Sequence, residues 1–524
     1  MNGRHYFFLA LLGLGMAGLV AAFEPAPGYL DASYYCATGL RLASGQGFTE
    51  PFLWNYLDDP QGLPHPSHAY WMPLASLLAA AGAILFGSAS CLAARTPFLL
   101  LAALVPPLTA ALAWSFSPRR EHALSAGLLA VFSGFYAPFL PVTDTFALYL
   151  LLGGLFFLLC TAVPAAGLWS GARRFLILGL LAGLMHLARA DGLLWLAVAW
   201  TAVFLLTREA AGRRKGVAMV ALGYFLVMTP WFLRNWLVFG APLGTGSSRA
   251  LWLTSYNQLF SYPPAHLTFQ DWWASGLISI LRARLWALRL NLQSVLGVQG
   301  GIFLLPAILA GIWHYRREAH IHLACLAWLL TFVLMTFVFP FAGARGGFFH
   351  SGAAFQVLWW ALTPVGLERI IATLARWRKW EREHEAQLVL RAAMVGMAFF
   401  LTALLIWGRV LGGLDPRRAW GSDWARYEQI DHFLEAAGAR PEEVVVVADP
   451  PGFYLATGRP AIALPDGDVT TVQALVARYQ ARYLVLEAGA VTDGLQPLYR
   501  EPTAFPVVRY LGEVEDAQVF DIQP

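Results

Sequence analysis

The sequence predicts a polytopic α-helical membrane protein with about eleven transmembrane helices and a C-terminal soluble α/β domain. Of the 524 residues, 58% are hydrophobic and only 13% are charged, about half the charged fraction of a soluble domain. Apolar segments long enough to cross a bilayer recur as far as residue 411. Beyond residue 414 the pattern changes to short β-branched runs between polar helical segments.

Eleven apolar segments are predicted to span the membrane. They are 6–23, 97–115, 122–139, 146–163, 174–188, 192–207, 217–233, 301–314, 320–340, 350–368 and 388–411. The first segment could instead be a secretory signal peptide, but it is long for one, and no small-x-small cleavage site follows at 24–27. We therefore expect a retained first span with Arg4 on the cytoplasmic side.

A further apolar run, 70–86, decides the topology, because whether it crosses sets the side of every later loop. Basic clusters follow it at 119–120, 173–174, 208–215, 316–317 and 376–382. If 70–86 does not cross, all of them are cytoplasmic, as the positive-inside rule favours. The sequence thus predicts a plasma (inner) membrane protein with a cytoplasmic N-terminus. Its membrane domain covers 1–413, with interfacial helices in the outward loop 24–96, and its extracytoplasmic domain covers 414–524.

The C-terminal segment has the pattern of a small α/β unit. Strands are predicted at 444–448, 461–464, 483–487, 507–511 and 517–522, and helices at 424–437 and 470–479. No GxGxxG or P-loop motif opens either helix. The turn 449–452 follows a strand, and we interpret it as a helix cap in preference to a ligand contact.

The cysteines and basic residues argue against some classes of site. Cys36, Cys91, Cys160 and Cys325 form no CxxC pair, so a redox or cysteine-based metal framework is not supported. Cys36 and Cys91 both lie in loop 24–96, which leaves a disulfide between them open. No basic tract with interleaved aromatic residues occurs, so membrane lipids are expected partners and nucleic acid is not.

Loop 24–96 holds the first group of candidate site residues. Asp31 stands just beyond the outer end of the first span, where it is a candidate general base or an ordinary helix N-cap. Carboxylates and histidines then follow among aromatic residues, a combination that suits a polar substrate beside a lipid. The candidate substrate-binding residues of this loop are Tyr34, Tyr35, Asp58, Asp59, His65 and His68.

Later outward turns supply the second group. Asp144 is a second candidate catalytic acid, since a carboxylate next to apolar spans is expensive unless it is paired or used. Arg189 is a candidate phosphate ligand because guanidinium donates two parallel hydrogen bonds; the alternative is pairing with Asp191. The glycine-rich turn around Arg345 could admit a lipid phosphate or be a flexible connection. The candidate substrate-binding residues of these turns are Arg189, Asp191, Arg234, Arg345 and His350.

Taken in order, these motifs resemble the GT-C integral membrane glycosyltransferases, in particular the dolichyl-phosphate-mannose mannosyltransferase and aminoarabinose transferase group. The matching elements are Asp31, Tyr34-Tyr35, 42–45, 70–74, 85–87, 94–97, Asp144, 186–192, 230–235 and 239–240. They cover most of residues 1–370. In that family an interfacial segment takes the place of 70–86, which agrees with the charge argument.

The resemblance implies a polyprenyl-phosphate-sugar-dependent glycosyltransferase that transfers a hexosyl or pentosyl group, with inversion, to a lipid, glycan or protein acceptor at the outer face. It also implies that Asp31 activates or orients the acceptor and that Arg345, Arg189 and His65 hold the departing lipid phosphate. The chain departs from the family pattern at Ala32, where a second acid is expected, and at His65, where lysine is frequent.

Those departures leave the acceptor and any metal open. A divalent metal is the one cofactor under consideration, although adjacent carboxylates such as Asp58 and Asp59 are a poor metal motif by themselves. The alternatives to an enzyme of this kind are a transporter or flippase of lipid-linked sugars, an O-antigen ligase or polymerase, and an inactive scaffold. Transporters usually carry internal repeats and broken helices at the midplane, and the sequence has no evident repeat.

Overall fold

Helices dominate the part of the chain that the computed structural model describes, which is residues 1–161, 171–264 and 267–522. In chain order the α-helices are α1 Gly3–Ala22, α2 Leu30–Ala43, α3 Leu74–Phe86, α4 Cys91–Ala94, α5 Thr96–Phe116, α6 Arg120–Val131, α7 Phe146–Thr161, α8 Gly171–Ala188, α9 Leu194–Leu206, α10 Ala210–Phe239, α11 Thr245–Arg249, α12 Phe269–Ala274, α13 Leu277–Ser294, α14 Leu305–His314, α15 Ala319–Val333, α16 Pro340–Ala342, α17 Phe348–Arg378, α18 Glu383–Leu405, α19 Ser422–Ala436, α20 Pro450–Thr457, α21 Val469–Tyr479 and α22 Gln496–Arg500. The strands are β1 Thr49–Glu50, β2 Phe52–Leu53, β3 His65–Pro66, β4 Val444–Val447, β5 Ala461–Ala463, β6 Ala481–Glu487, β7 Val508–Val514 and β8 Ala517–Ile522.

Among the described residues, 7 helical segments are long and apolar enough to cross a membrane. They are Gly3–Ala22, Cys91–Phe116, Gly171–Ala188, Ala210–Phe239, Ala319–Val338, Pro340–Arg378 and Glu383–Val410. Each overlaps a predicted span. Shorter apolar helices at Phe146–Thr161, Ala190–Leu206 and Leu305–His314 fall on three further predicted spans, and the end of predicted span 146–163 lies outside the described residues. The prediction of a polytopic helical membrane protein is confirmed.

The predicted span 122–139 is interrupted. α6 ends at Val131, and a 3-10 helix over Gly134–Phe139 replaces its continuation. Gly134 has a φ of 59°, a left-handed conformation that breaks an α-helix, and Pro138 has no amide hydrogen to donate. The N–H of Gly134 instead donates to Thr402 Oγ1 of α18 at 3.0 Å. The prediction of one continuous helix here is therefore wrong.

The chain divides into two compact units, each built from three separate segments. The helical unit comprises Met1–Phe23, Thr96–Trp236 and Arg284–Pro416. The α/β unit comprises Glu24–Arg95, Leu237–Ala283 and Arg417–Pro524. Loop 24–96 therefore folds together with the C-terminal segment, and the last change of unit falls between Pro416 and Arg417.

Six strands of the α/β unit form one mixed sheet in the order β2-β5-β4-β6-β8-β7. The pairs from β2 to β6 are parallel, and β8 is antiparallel to both of its neighbours. All strands and helices predicted for the C-terminal segment are present, with ends displaced by a few residues. The strand that the sequence did not indicate is β2 of loop 24–96, which pairs with Ala461 and Ile462 of β5.

The sheet buries apolar side chains on both faces, because successive residues of a strand point to opposite sides. Val446 of β4 packs into one layer with α21, whereas Val445 and Val447 pack into the other with α19. Leu53 and Tyr56 of loop 24–96 belong to the first layer. The loop is therefore part of the core of this unit.

In the same unit α2 lies against α3, and Gly39 permits the close approach, since a Cβ there would be 2.5 Å from the Cβ of Ala79. Cys36 of α2 and Cys91 of α4 form a disulfide with their Cα atoms 5.9 Å apart, which settles the question that the sequence left open. α3 has 13 residues and extends about 20 Å.

Candidate active site

Asp31 lies in the first turn of α2, in the α/β unit. The N-cap position belongs to Tyr29, whose side chain does not cap the helix, so the interpretation of Asp31 as an N-cap is wrong. An acidic side chain in the first turn is stabilised by the positive end of the helix dipole. Asp31 is half-buried.

Tyr34 and Tyr35, both predicted to bind substrate, lie in the interior of the same unit, at 1% and 2% exposure. The Tyr34 phenol oxygen accepts the backbone N–H of His68 at 2.8 Å, and its ring meets Trp71 edge-on at 4.7 Å. Burial, and secondly the carboxylate of Glu50, raise the pKa of Tyr34. These contacts hold α2 against the rest of loop 24–96, and a role in substrate binding stays a prediction.

His65 is enclosed by two carboxylates of the same loop. Its Nε2 lies 3.2 Å from Glu50 Oε1, and its Nδ1 lies 3.8 Å from Asp58 Oδ2. Burial lowers the pKa of His65 to about 4 and raises the pKa of Asp58 to about 6. The ring is therefore neutral at physiological pH, so its contribution to a phosphate site would be a hydrogen bond and not a charge. Glu50 was missed by sequence reasoning, because no motif distinguishes it.

The two remaining candidates of the loop have different surroundings. His68 is 2% exposed, and its ring nitrogens contact Ser67 Oγ at 2.7 Å and Ser76 Oγ at 2.9 Å. Asp59 is partly exposed, with Oδ1 at 3.9 Å from Nη2 of Arg478. His68 thus connects α3 to the loop, and Asp59 lies at the surface of the unit.

In the helical unit, Asp144 and His350 come together although they are far apart in sequence. His350 Nδ1 lies 3.7 Å from Asp144 Oδ1. Thr145 Oγ1 donates to Asp144 Oδ1 at 3.2 Å and contacts His350 Nδ1 at 3.2 Å. The Phe146 ring stacks on His350 at 3.9 Å. Asp144 is only 1% exposed, so these contacts fix its carboxylate next to an imidazole.

Arg189 and Asp191 form the pair that the sequence left open as an alternative. Arg189 Nε lies 3.0 Å from Asp191 Oδ1, and its guanidinium lies 5.8 Å from the centre of the Tyr149 ring. Ser351 Oγ donates to Asp191 Oδ2 at 2.6 Å. Because Ser351 follows His350 on α17, that helix connects this ion pair with Asp144. The phosphate-binding role of Arg189 stays a prediction.

Arg345 lies in a π-helical turn, Gly343–Gly347, in which the backbone is irregular. Gly346 has a φ of 120°, a conformation that favours glycine. A Cβ at Gly343 would lie 1.7 Å from the carbonyl oxygen of Met335, so glycine is required there for close packing. Arg345 itself is exposed. The glycines therefore allow the close packing and the irregular backbone of this turn, which places the Arg345 side chain at the surface.

Arg234 of α10 lies with its guanidinium 4.8 Å from the centre of the Trp231 ring. Its Nη1 donates to Asn235 Oδ1 at 3.0 Å. A cation over an aromatic face at this spacing is attracted to the ring. Both of these contacts lie within α10, and the role of Arg234 in substrate binding stays a prediction.

Asp144 and His350 also offer the donor types that a divalent metal accepts. A carboxylate oxygen and an imidazole nitrogen are common ligands of zinc and other first-row metals. The 3.7 Å between Oδ1 and Nδ1 is compatible with two atoms on one metal ion, each at about 2.0–2.2 Å. The residues present therefore fit a metal ion.

No protein-family model matches the chain, and no curated protein matches its sequence. Solved structures do match it. ArnT from Cupriavidus metallidurans bound to undecaprenyl phosphate has a TM-score of 0.58 and 13% sequence identity, over 99% of this chain and 98% of that chain.

The archaeal oligosaccharyltransferase AglB from Archaeoglobus fulgidus, in complex with an inhibitory peptide and a dolichol-phosphate, has a TM-score of 0.58 and 12% identity, over 92% of this chain and 69% of that chain. The oligosaccharyltransferase of the same organism in complex with Zn and sulfate has a TM-score of 0.57 and 14% identity, over 92% of this chain and 67% of that chain. ArnT and AglB are both GT-C glycosyltransferases. At these identities the likeness concerns the fold, and this chain therefore has the fold of the GT-C membrane glycosyltransferases that its motifs resemble.

Proposed function

We propose that this protein transfers a sugar from a polyprenyl-phosphate donor to an acceptor at the outer face of the membrane, with inversion at the anomeric carbon. The observation that carries the proposal is Asp31, a half-buried carboxylate in the first turn of a helix that a disulfide and a buried polar network hold in place. The solved structures with undecaprenyl phosphate and dolichol-phosphate support a lipid phosphate as the ligand class.

The disulfide also supports the predicted topology. Disulfides persist in oxidising compartments and are rare in the cytosol, so the Cys36–Cys91 bond favours an extracytoplasmic α/β unit. The basic clusters at 119–120, 173–174 and 316–317 then face the cytoplasm in agreement with the positive-inside rule. We propose a cytoplasmic N-terminus, an outward C-terminal segment and residence in the plasma membrane.

In the proposed reaction the hydroxyl oxygen of the acceptor attacks the anomeric carbon of the sugar. Asp31 accepts the proton of that hydroxyl. The bond between that carbon and the phosphate oxygen breaks, and the lipid phosphate leaves with the electron pair. Arg345 and Arg189 stabilise the phosphate, because guanidinium groups match its geometry and charge. Attack opposite the leaving group inverts the configuration. Neither the sugar nor the acceptor is specified by these residues.

A divalent metal would be held by Asp144 and His350 in this proposal. When bound, it would supply positive charge near the departing phosphate. Asp144 and His350 themselves fix each other through Thr145. Chelation of metal by EDTA, followed by measurement of turnover and of metal content, tests this part of the proposal. If turnover is unchanged in protein that contains no metal, the reaction does not need a metal and this part of the proposal is refuted.

The decisive experiment is Asp31→Asn in the purified protein, assayed with a polyprenyl-phosphate sugar and a hydroxyl acceptor. The substitution keeps the shape of the side chain and removes the base, so kcat should fall about 10²–10⁴-fold. Glu442→Gln, at a well-exposed glutamate of the same unit, is the matched exchange of a carboxylate for an amide and should keep full activity. Full activity of Asp31→Asn would refute the proposal.

A further inference from the structure

The turn that leads into α2 lies directly against Trp420 of the C-terminal segment. Trp420 Nε1 donates to the carbonyl oxygen of Ala26 at 3.1 Å. Its ring meets the Tyr29 ring edge-on, with 5.7 Å between the centroids. Gly28, between these two contacts, has a φ of 85°, and a Cβ there would be 2.1 Å from Trp420 Nε1. The indole ring therefore contacts Ala26, Gly28 and Tyr29, just before the helix.

This contact lies at the start of α2. Tyr29 is the N-cap residue, its side chain does not cap the helix, and its ring packs against Trp420. Asp31 is the second residue of α2. A rotation of the first turn would move the Asp31 carboxylate with it, because α2 is continuous from Leu30.

The C-terminal segment also contacts the far end of α2. Arg41, in the last turn, donates from Nη1 to the phenol oxygen of Tyr454 at 3.4 Å. Tyr454 also lies against Phe52 of β2, with 5.5 Å between the ring centroids. Both ends of α2 thus touch residues that are more than 350 positions away in sequence. The middle of the helix is held by the Cys36 disulfide.

From these contacts we infer that the C-terminal segment sets the position of the catalytic carboxylate, and that Trp420 is a positioning residue for Asp31. The inference rests on the proposed function, since it assigns the base of that reaction to Asp31. A displacement of about 1 Å between reacting groups can cost about 10²-fold in rate. A contact made by an indole ring beside the N-terminus of α2 is therefore sufficient to control turnover.

The first test replaces Trp420 with alanine and with phenylalanine in the full chain. Trp420→Ala should lower kcat about 10–100-fold with the KM for the lipid donor within about twofold, because the base is displaced and the donor site is untouched. Trp420→Phe keeps a ring against Gly28 and should recover part of kcat. Trp424→Ala is the matched control, since Trp424 lies on α19 and its indole N–H donates to Glu428.

The second test places a methyl group under the indole ring. Gly28→Ala should lower kcat as Trp420→Ala does, since its Cβ would collide with Trp420. Gly45→Ala is the control for the cost of a positive φ, because Gly45 has a φ of 78° and nothing lies within 4 Å of an added Cβ. The double variant Gly28→Ala/Trp420→Ala should lose no more kcat than the worse single variant, since the collision is absent.

The outcomes separate this inference from the proposed function. If Asp31→Asn abolishes transfer while Trp420→Ala and Gly28→Ala keep native kcat, the positioning role is refuted and the function stands. A rise in KM at native kcat, or a loss of kcat that matches the fraction of unfolded protein, refutes it as well. Loss of kcat in folded protein, with partial recovery in Trp420→Phe, supports it. An active Asp31→Asn variant would instead refute the proposed function.

Discussion

Asp31 of the α/β unit and Asp144 of the helical unit carry similar sequence signals, yet their surroundings differ. Asp31 is half-buried at the start of a helix, whereas Asp144 is 1% exposed and lies next to Thr145 and His350. A side chain that is only partly buried is suited to proton exchange with a substrate. An enclosed carboxylate beside an imidazole is suited to holding a cation. The comparison suggests a base in one unit and a binding group in the other.

The largest expected effects come from changing each acid to its amide. Asp31→Asn should lower kcat by about 10²–10⁴-fold with little change in the thermal midpoint, because the residue is accessible. Asp144→Asn should also lower stability by about 1–3 kcal/mol, because it disturbs a buried polar contact. Turnover and thermal unfolding in detergent measure both quantities. Equal midpoints for the two variants would remove the distinction between the acids.

The disulfide is a second difference between the units, because both of its cysteines lie in the α/β unit. Replacing Cys36 and Cys91 with serine should destabilise that unit by about 2–4 kcal/mol, because the unfolded chain gains freedom. Thermal unfolding with and without a reductant measures the effect. The reductant should lower the midpoint of the native protein to that of the variant and leave the variant unchanged. A native protein that is insensitive to full reduction would contradict this prediction.

The two arginines of the helical unit should contribute unequally to donor binding. Arg345 is exposed in its glycine-rich turn, whereas the Arg189 side chain is only 15% exposed and its Nε lies 3.0 Å from Asp191 Oδ1. Arg345→Ala should raise the KM for the lipid donor by about 10–100-fold, as expected for a charge-assisted hydrogen bond of about 1.5–3 kcal/mol. Arg189→Ala should raise it by less, because the less exposed side chain is less available to the donor. Initial rates at varied donor concentration measure both. A larger effect at Arg189 would reverse the assignment.

The last prediction concerns Glu24, which begins the α/β unit and is 1% exposed. Burial raises its pKa to about 9, against the opposing effect of Arg95. Between the ordinary pKa of 4.5 and this raised pKa the Glu24 carboxyl keeps its proton in the folded protein, whereas the unfolded chain releases it. The contribution of Glu24 to the free energy of unfolding is therefore full below pH 4.5 and is lost as the pH rises through 9.

A neutral side chain at position 24 should remove that loss. The midpoint of Glu24→Gln should rise relative to the native protein between pH 5 and pH 9, by about a few degrees. Glu442→Gln, at the exposed surface of the same unit, should give a constant difference. Thermal unfolding at several pH values makes the comparison, and a Glu24→Gln difference that does not vary with pH would refute the raised pKa.

Local sequence patterns predicted most of the membrane-spanning helices and the elements after residue 414. Hydropathy over about 20 residues locates helices that cross a bilayer, and alternation of β-branched runs with helical periods identified the strands and helices after residue 414. The pattern failed at 122–139, where the helix breaks at Gly134, whose N–H donates to Thr402 of a distant helix. Hydropathy does not distinguish a continuous span from a broken one.

The sequence by itself determined the membrane class, the α/β character of the C-terminal segment and the candidate residues, because composition and periodicity are local properties. Only the tertiary structure decided that β2 of the first loop completes the C-terminal sheet, that Asp144 meets His350 and that Trp420 covers the turn before Asp31. Each of these contacts joins segments that are distant in sequence. Such pairings depend on packing of the whole unit, which no local pattern encodes.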